Sequence, residues 1–398
     1  MKTILVVATL DTKGAEVAFC REQIEAMGAK ALLLDGGVLG EPTIEPDITR
    51  EEVAGAAGTT IEQVRKIPAE GEAIDLQAQG AGVITLRLHK EGRIHGVLGI
   101  GGGMGTVLGT GAMRTLPIGV PKFMVSSQAG NPAMSRLVGT KDICMFHSVA
   151  DVVGLNRFTR IIFTRACGGV VGMAGAEVPE EKSGKKIVAL CAKGATEDAN
   201  RIIRQRLADA GYHPMTFHCF GFGPVSLEQV IADGYIDGGV IELSSDWLDR
   251  IAGGSSFPPD DRYENAGRLG LPQVFVPGTC DLIAGPPGKH TGRKTHLHNK
   301  VVTSYRSSYA ELHQVGREIG EKLSQSRGPV TVVIPMKGFS TFDRVGGPMY
   351  DPKADAGFID AISAFSDKIK VLKVDAHILD KKFTDAVMDA FLENAAQV

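Results

Sequence analysis

His95-Gly96-Val97-Leu98-Gly99-Ile100-Gly101-Gly102-Gly103-Met104-Gly105-Thr106 is an apolar run that breaks into a glycine loop and then into small residues suited to a helix start. A strand, a bare-backbone turn and a helix N-terminus in that order present main-chain N–H groups to an anion. Glycine suits such a turn because a Cβ would hold the backbone off a phosphate oxygen, and because tight turns of this kind often need positive φ. No acidic residue in the loop repels an anion. The spacing Gly99-x-Gly101-x-x-x-Gly105 departs from G-x-G-x-x-G, and no Gly-Lys-Ser/Thr follows as in a P-loop. Gly101, Gly102, Gly103, Gly105 and Thr106 are therefore candidate phosphate-binding residues.

Outward from this loop, short Val/Ile/Leu runs alternate with helical segments. Strands are expected at Ile4–Leu10, Lys30–Leu34, Gly96–Ile100, Lys122–Val125 and Ile143–Phe146, with helices near Gly14–Met27, Ala69–His89 and Asn156–Ala176. Uninterrupted apolar strands are what a parallel sheet covered on both faces requires. Glu177-Val-Pro-Glu-Glu-Lys-Ser-Gly-Lys-Lys186, polar and aperiodic, then marks a domain boundary. The pattern resumes with strands near Ile187–Cys191, Pro214–Phe217, Gly239–Glu242, Gln273–Val276, Val330–Ile334 and Lys370–Val374. Helices are expected near Thr196–Ala210, Ser308–Leu323, Asp355–Phe365 and Phe383–Leu392. The reading is α/β: two Rossmann-like doubly wound parallel-sheet domains, a nucleotide-binding one over 1–180 and a second over 184–398. Thr9-Leu-Asp-Thr-Lys-Gly14 and Leu190-Cys-Ala-Lys-Gly-Ala-Thr196, each after a first strand, hint at duplication.

Bulk properties narrow the function. The 398 residues, 43% hydrophobic, suffice for two cored domains. Fifty glycines exceed the usual share of about 7% and cluster at turns. A formal charge of −3 gives no basic field for nucleic acid. Six scattered cysteines without C-x-x-C spacing suggest thiols in a reducing cytoplasm. Met1–Leu10 reads as a first strand instead of a signal peptide, and no stretch of roughly 18 apolar residues predicts a membrane span.

Ligands of doubly wound sheets lie beyond the carboxyl ends of the strands. There Asp11, Thr12 and Lys13 offer a carboxylate for the loop or a hydrated Mg²⁺, a hydroxyl and an ammonium. Asp35 ends the second strand where a ribose carboxylate is often found, and Ser126 and Ser127 offer neutral donors for ribose or phosphate. In the second half His296 and His298 share one face of an extended segment, and Asp281 or Glu242 could complete a metal set. The surrounding Lys289, Arg293, Lys294 and Lys300 make the local charge positive and favour an anion instead. Lys337 after the Val330–Ile334 strand could clamp a phosphate or carboxylate. Neither G-x-S-x-G nor H-E-x-x-H occurs, which disfavours a serine hydrolase or a zincin.

Ala8-Thr-Leu-Asp-Thr-Lys-Gly14, Gly101-Gly-Gly-Met-Gly-Thr106, Ser126-Ser-Gln-Ala-Gly-Asn131, His296-Leu-His-Asn299 and Pro335-Met-Lys-Gly-Phe-Ser340 together resemble the UPF0261 family, the Tm-1-like ATP-binding proteins. The resemblance spans almost the whole chain and implies two Rossmann-like subdomains, ATP as ligand and a homodimer. Plant members carry a further C-terminal barrel domain, and the stand-alone form is expected here. The leading expectation is an ATP-binding protein with its ligand at the glycine loops near the domain cleft. The alternative is a small-acid hydrolase or lyase in which His296, His298 and Lys337 act on a carboxylated or phosphorylated metabolite.

Overall fold

The computed structural model describes residues 1–179 and 183–398; the middle of the expected linker, 180–182, lies outside the described residues. The chain divides into two compact units, Met1–Glu180 and Glu181–Val398.

In the first unit, β1 (Thr3–Ala8), β2 (Lys30–Asp35), β3 (Gly96–Gly101), β4 (Lys122–Ser126) and β5 (Cys144–His147) form one sheet in the order β2-β1-β3-β4-β5. Every pairing is parallel. Strand periodicity sends Ile4, Val6 and Ala8 to one face, where they meet Val17 and Cys20 of the helix Leu10–Ala26 and Phe163 and Val170 of the helix Arg157–Gly175. Leu5 and Val7 point the other way, onto Ile74 and Ala78 of the helix Glu70–Lys90 and Leu108 and Met113 of the helix Gly103–Arg114. Both faces are covered, so these side chains are out of water, each contributing about 1.5–3 kcal/mol of burial. That double coverage is why the strands read as unbroken apolar runs.

The second unit has β6 (Ile187–Ala192), β7 (His213–His218), β8 (Gly239–Glu242) and β9 (Gln273–Phe275), then β10 (Leu282–Gly285), β11 (Thr295–Leu297), β12 (Thr303–Arg306), β13 (Val330–Pro335) and β14 (Lys370–Val374). Six of these make a parallel sheet, β14-β13-β9-β8-β6-β7, and three make an antiparallel ribbon, β10-β12-β11. Val188 and Leu190 pack with Ile203, Leu207, Phe383 and Val387 on one face. On the other, Phe275, Val332 and Ile334 pack with Leu312, Val315, Phe358 and Ile362. Counted within each parallel sheet, both units follow the strand order 2-1-3-4-5, the second adding a sixth strand at the far edge.

Two expectations change. The first helix starts at Leu10, so Asp11, Thr12 and Lys13 lie in its opening turn and not in a loop before it. The ribbon β10–β12 is new: its strands of three or four residues, separated by Gly, Pro and basic residues, show no alternation long enough to read.

Candidate functional site

In the first unit the helix that follows β1 packs on one face of the sheet and the helix that follows β3 packs on the other. The adjacent strands β1 and β3 therefore send their chains apart at the carboxyl edge, which opens the crevice where this topology takes its ligands. A cavity of about 200 Å³ lies there, lined by Thr9, Asp11 and Thr12 of the first helix start and by Met104 of the glycine turn. Val38, Leu39, Ile67, Ala73 and Ile74 give it an apolar floor, and Arg65 and Glu70 add charge.

The glycine loop divides its work. A Cβ on Gly101 would stand 2.6 Å from the Cα of Gly105, and one on Gly105 would stand 3.2 Å from the carbonyl oxygen of Ile100. These two glycines let the strand and helix touch. A Cβ on Gly103 would meet nothing within 4 Å, and one on Gly102 only Ser127 Oγ at 3.8 Å. The open side of the turn is thus Gly102–Gly103 with the Ser127 hydroxyl beside it. None of these glycines takes positive φ, and Gly102 has φ −81°. Their role is closeness of approach, and the left-handed conformation considered from sequence is not used. The helix Gly103–Arg114 has no side-chain cap and no acidic residue in its first turn. The N–H groups of Gly103, Met104 and Gly105 consequently have no intrahelical acceptor and carry the positive end of the helix dipole.

Thr106 and Ser126 hold this turn from behind. Both are buried, their hydroxyls lie 2.6 Å apart, Thr106 Oγ1 donates to the Gly102 carbonyl at 2.6 Å, and Ser126 Oγ accepts from the Gln128 N–H. They set the loop instead of facing a ligand. Asp11 Oδ2 accepts the Gly40 N–H at 3.0 Å, while its Oδ1 is buried without a donor. Thr12 Oγ1 lies 2.8 Å from Thr9 Oγ1 on the exposed rim, and Lys13 stands half-buried on the same turn.

The Asp35 carboxylate, expected at a ribose, is taken up by the protein's own groups. It is fully buried; Oδ1 accepts the N–H groups of Leu10 and Gly37 at 2.9 and 2.8 Å, and Oδ2 accepts Arg50 Nε at 3.0 Å. Its position at a strand end is real, but its charge anchors the helix start and the 36–40 loop.

In the second unit His296 packs against the ring of Phe342, with centroids 4.2 Å apart; His298 is exposed beyond β11; Lys337 pairs with Asp375 at 3.1 Å. Among the described residues no hydrogen bond or ion pair joins these three, so the sequence-based catalytic trio is not an assembled site. Glu242 is held by the buried Arg262 at 2.5 and 2.7 Å, and Asp281 Oδ2 accepts from Ser340 Oγ at 2.6 Å. Among the described residues no three His, Cys, Asp or Glu side chains gather as a metal site.

Two buried polar clusters were invisible in the sequence. Arg262 bridges Glu228, Glu242 and Asp246, with Lys193 close by, its Nζ donating to the Ser245 carbonyl at 3.3 Å. Burial pulls the Lys193 amine down, but the neighbouring Cys219, Asp249 and Asp246 outweigh it and keep it protonated. Arg306 faces three buried carboxyls, Asp281, Asp343 and Asp355. Burial first, then that crowding, pushes Asp281 up to about 7 and Asp355 up to about 9.

Fold and edge together define a protein of two doubly wound parallel α/β units, the first of which presents an uncapped helix N-terminus and a cavity at its topological switch point. The chain belongs to the UPF0261 family: the models described as "Uncharacterised protein family (UPF0261)" N-terminal and C-terminal domains match residues 2–179 and 185–395. A "UPF0261 protein" of Clostridium tetani is 34% identical over 393 residues, 97% of both chains. The "ToMV susceptible protein tm-1(GCR26)" of Solanum lycopersicum is 27% identical over 98% of this chain and 55% of its own length. Among solved structures, a UDP-N-acetylglucosamine 2-epimerase from Rickettsia bellii aligns over 100% of this chain and 98% of its own at 10% identity, with a TM-score of 0.24, a value that carries no argument about ligand or site. Among the described residues no helix is long and apolar enough to cross a membrane.

Proposed function

We propose that this chain binds a nucleoside triphosphate, ATP with Mg²⁺, at the carboxyl edge of the first unit. The observation that carries the reading is the cavity whose wall runs from the first turn of the helix Leu10–Ala26 to Met104, next to an open, uncapped glycine turn. An apolar floor of aliphatic side chains suits a purine base. The main-chain amides of Gly103, Met104 and Gly105, with the Ser127 hydroxyl, suit phosphate oxygens, which a helix N-terminus attracts without a dedicated cation.

Asp11 is the residue fitted to the metal. A triphosphate-bound Mg²⁺ keeps most of its waters and takes one or two protein carboxylates. Asp11 Oδ1 is a buried acceptor lacking a donor, on a residue that lines the same cavity as Met104 of the glycine turn. The metal would neutralise phosphate charge; the chain itself binds, orients and excludes water from the base. Lys13, on the same turn, adds positive charge at the rim.

Calorimetric titration with ATP and Mg²⁺ tests the reading, with Gly103→Val and Lys13→Ala beside the wild type. Gly103→Val fills space that the fold leaves empty, so it should abolish or severely weaken binding with no loss of stability, and Lys13→Ala should weaken it less. Unaltered affinity in both variants would exclude this site.

A further inference from the structure

The second unit contains a cavity of about 520 Å³ that none of the residues discussed so far as catalytic lines. Its walls come from the ribbon, through Lys294 and Arg306, and from two helix starts, Ser308 ahead of the helix Tyr309–Leu323 and Asp351 ahead of the helix Pro352–Ser363. We propose that this cavity is a second binding site, for a small multiply charged oxyanion, held by Arg306, Lys294 and Lys353 with the hydroxyls of Ser307 and Ser308.

The charges are arranged for such a guest. Lys353 stands exposed in the first turn of its helix, and among the described residues no hydrogen bond or ion pair engages it. A cation there opposes the helix dipole, so its placement gains nothing from the fold. Arg306 is only 4% exposed, yet it lines the cavity. Its Nη atoms are occupied by Ser307 Oγ at 2.7 Å, the Asp351 carbonyl at 2.9 Å and the Asp355 carboxyl, whereas its Nε–H is buried without an acceptor.

The nearby carboxyls cancel only part of this field. Asp355 holds its proton at neutral pH, because burial and the crowding of Asp343 and Asp281 outweigh the pull of Arg306. Glu311 is committed to Arg293 at 2.7 and 2.8 Å, which removes both from the count. Asp351, the carboxylate on the cavity wall, caps its own helix by accepting the Ala354 N–H at 3.2 Å and faces Lys294 at 3.6 Å. Asp281 and Asp343 also face Arg306, so Lys353 is the cation left without a partner among the described residues, beside a cavity large enough for a polyanion, and it attracts carboxylate or phosphate groups alike.

Pyrophosphate and citrate, titrated separately into the intact chain without ATP, test this and tell phosphate from carboxylate chemistry. At least one should bind saturably. Lys353→Glu, at an exposed position that supports nothing, should weaken that binding by about tenfold or more, Lys353→Ala by less, each with a melting temperature that does not fall and with unchanged ATP binding. The proposal fails if neither anion saturates, if Lys353→Glu binds as the wild type does, or if Gly103→Val abolishes the anion binding, since the guest would then occupy the first unit's glycine turn.

Discussion

The two parallel sheets share a strand order, and their switch points, β1/β3 and β6/β8, are built from the same topology with opposite results. At β1/β3 the turn after the third strand ends in glycines with free space beside them and a helix that caps nothing. At β6/β8 the equivalent space is closed by the protein's own groups. The Lys193 N–H donates to Ser244 Oγ at 3.1 Å, Thr196 Oγ1 lies 2.8 Å from the same oxygen, and the Arg262 cluster sits behind them. A fold therefore supplies an edge, and the side chains decide whether it receives a ligand or is consumed by packing.

Breaking the filled edge should have the largest effect. Arg262→Met leaves Glu228, Glu242 and Asp246 buried without their counter-charge and should cost about 3–5 kcal/mol in denaturant unfolding of the second unit, with ATP binding unmoved. A loss below about 1 kcal/mol would mean that the cluster is not what holds that edge. Asp35→Asn in the first unit should cost a comparable amount by stranding Arg50, which separates its anchoring role from ligand contact.

The next effect distinguishes two glycines two residues apart. Gly101→Ala places a methyl 2.6 Å from the Gly105 backbone and should destabilise by about 1–3 kcal/mol. Gly103→Ala should leave the unfolding midpoint unchanged while weakening ATP. Equal stability losses at both would show that the turn is a packing device throughout.

The smallest expected change is in pH dependence. Asp355 keeps its proton up to about pH 9 when folded, while the unfolded chain gives it up near pH 4, so the folded state holds more protons across that window. Over the single unit from pH 7 to 8 stability should accordingly fall by up to about 1.4 kcal/mol for this group. Asp355→Asn should flatten that slope. An unchanged slope would place the proton elsewhere.

Much of the fold was legible because strands covered on both faces must be apolar throughout, as Ile4 to Ala8 are. The first strand ends at Ala8, two residues before the apolar run does, because Leu10, buried at the helix start, continues that run. The open turn is legible where geometry is local, as at Gly102 and Gly103, which leave space beside them with Ser127 adjacent. A residue's role is hidden from the sequence where a distant partner decides it. Asp35 reads as a free carboxylate from its own neighbours, yet Arg50, 15 residues on, binds it. His296 and Lys337 are reactive types that the chain sends to different partners, Phe342 and Asp375. Arg262 and Arg306 lie in stretches without periodicity, and only their tertiary surroundings reveal them.

The most direct test is a ligand-density map of crystals of the full chain grown with ATP and Mg²⁺. Density for the phosphates against the amides of Gly103 and Met104, with the base over Val38 and Ile74 and the metal beside Asp11, is the expected outcome. Nucleotide bound instead at the β6/β8 edge, or a glycine turn left vacant at saturating ATP, would contradict it.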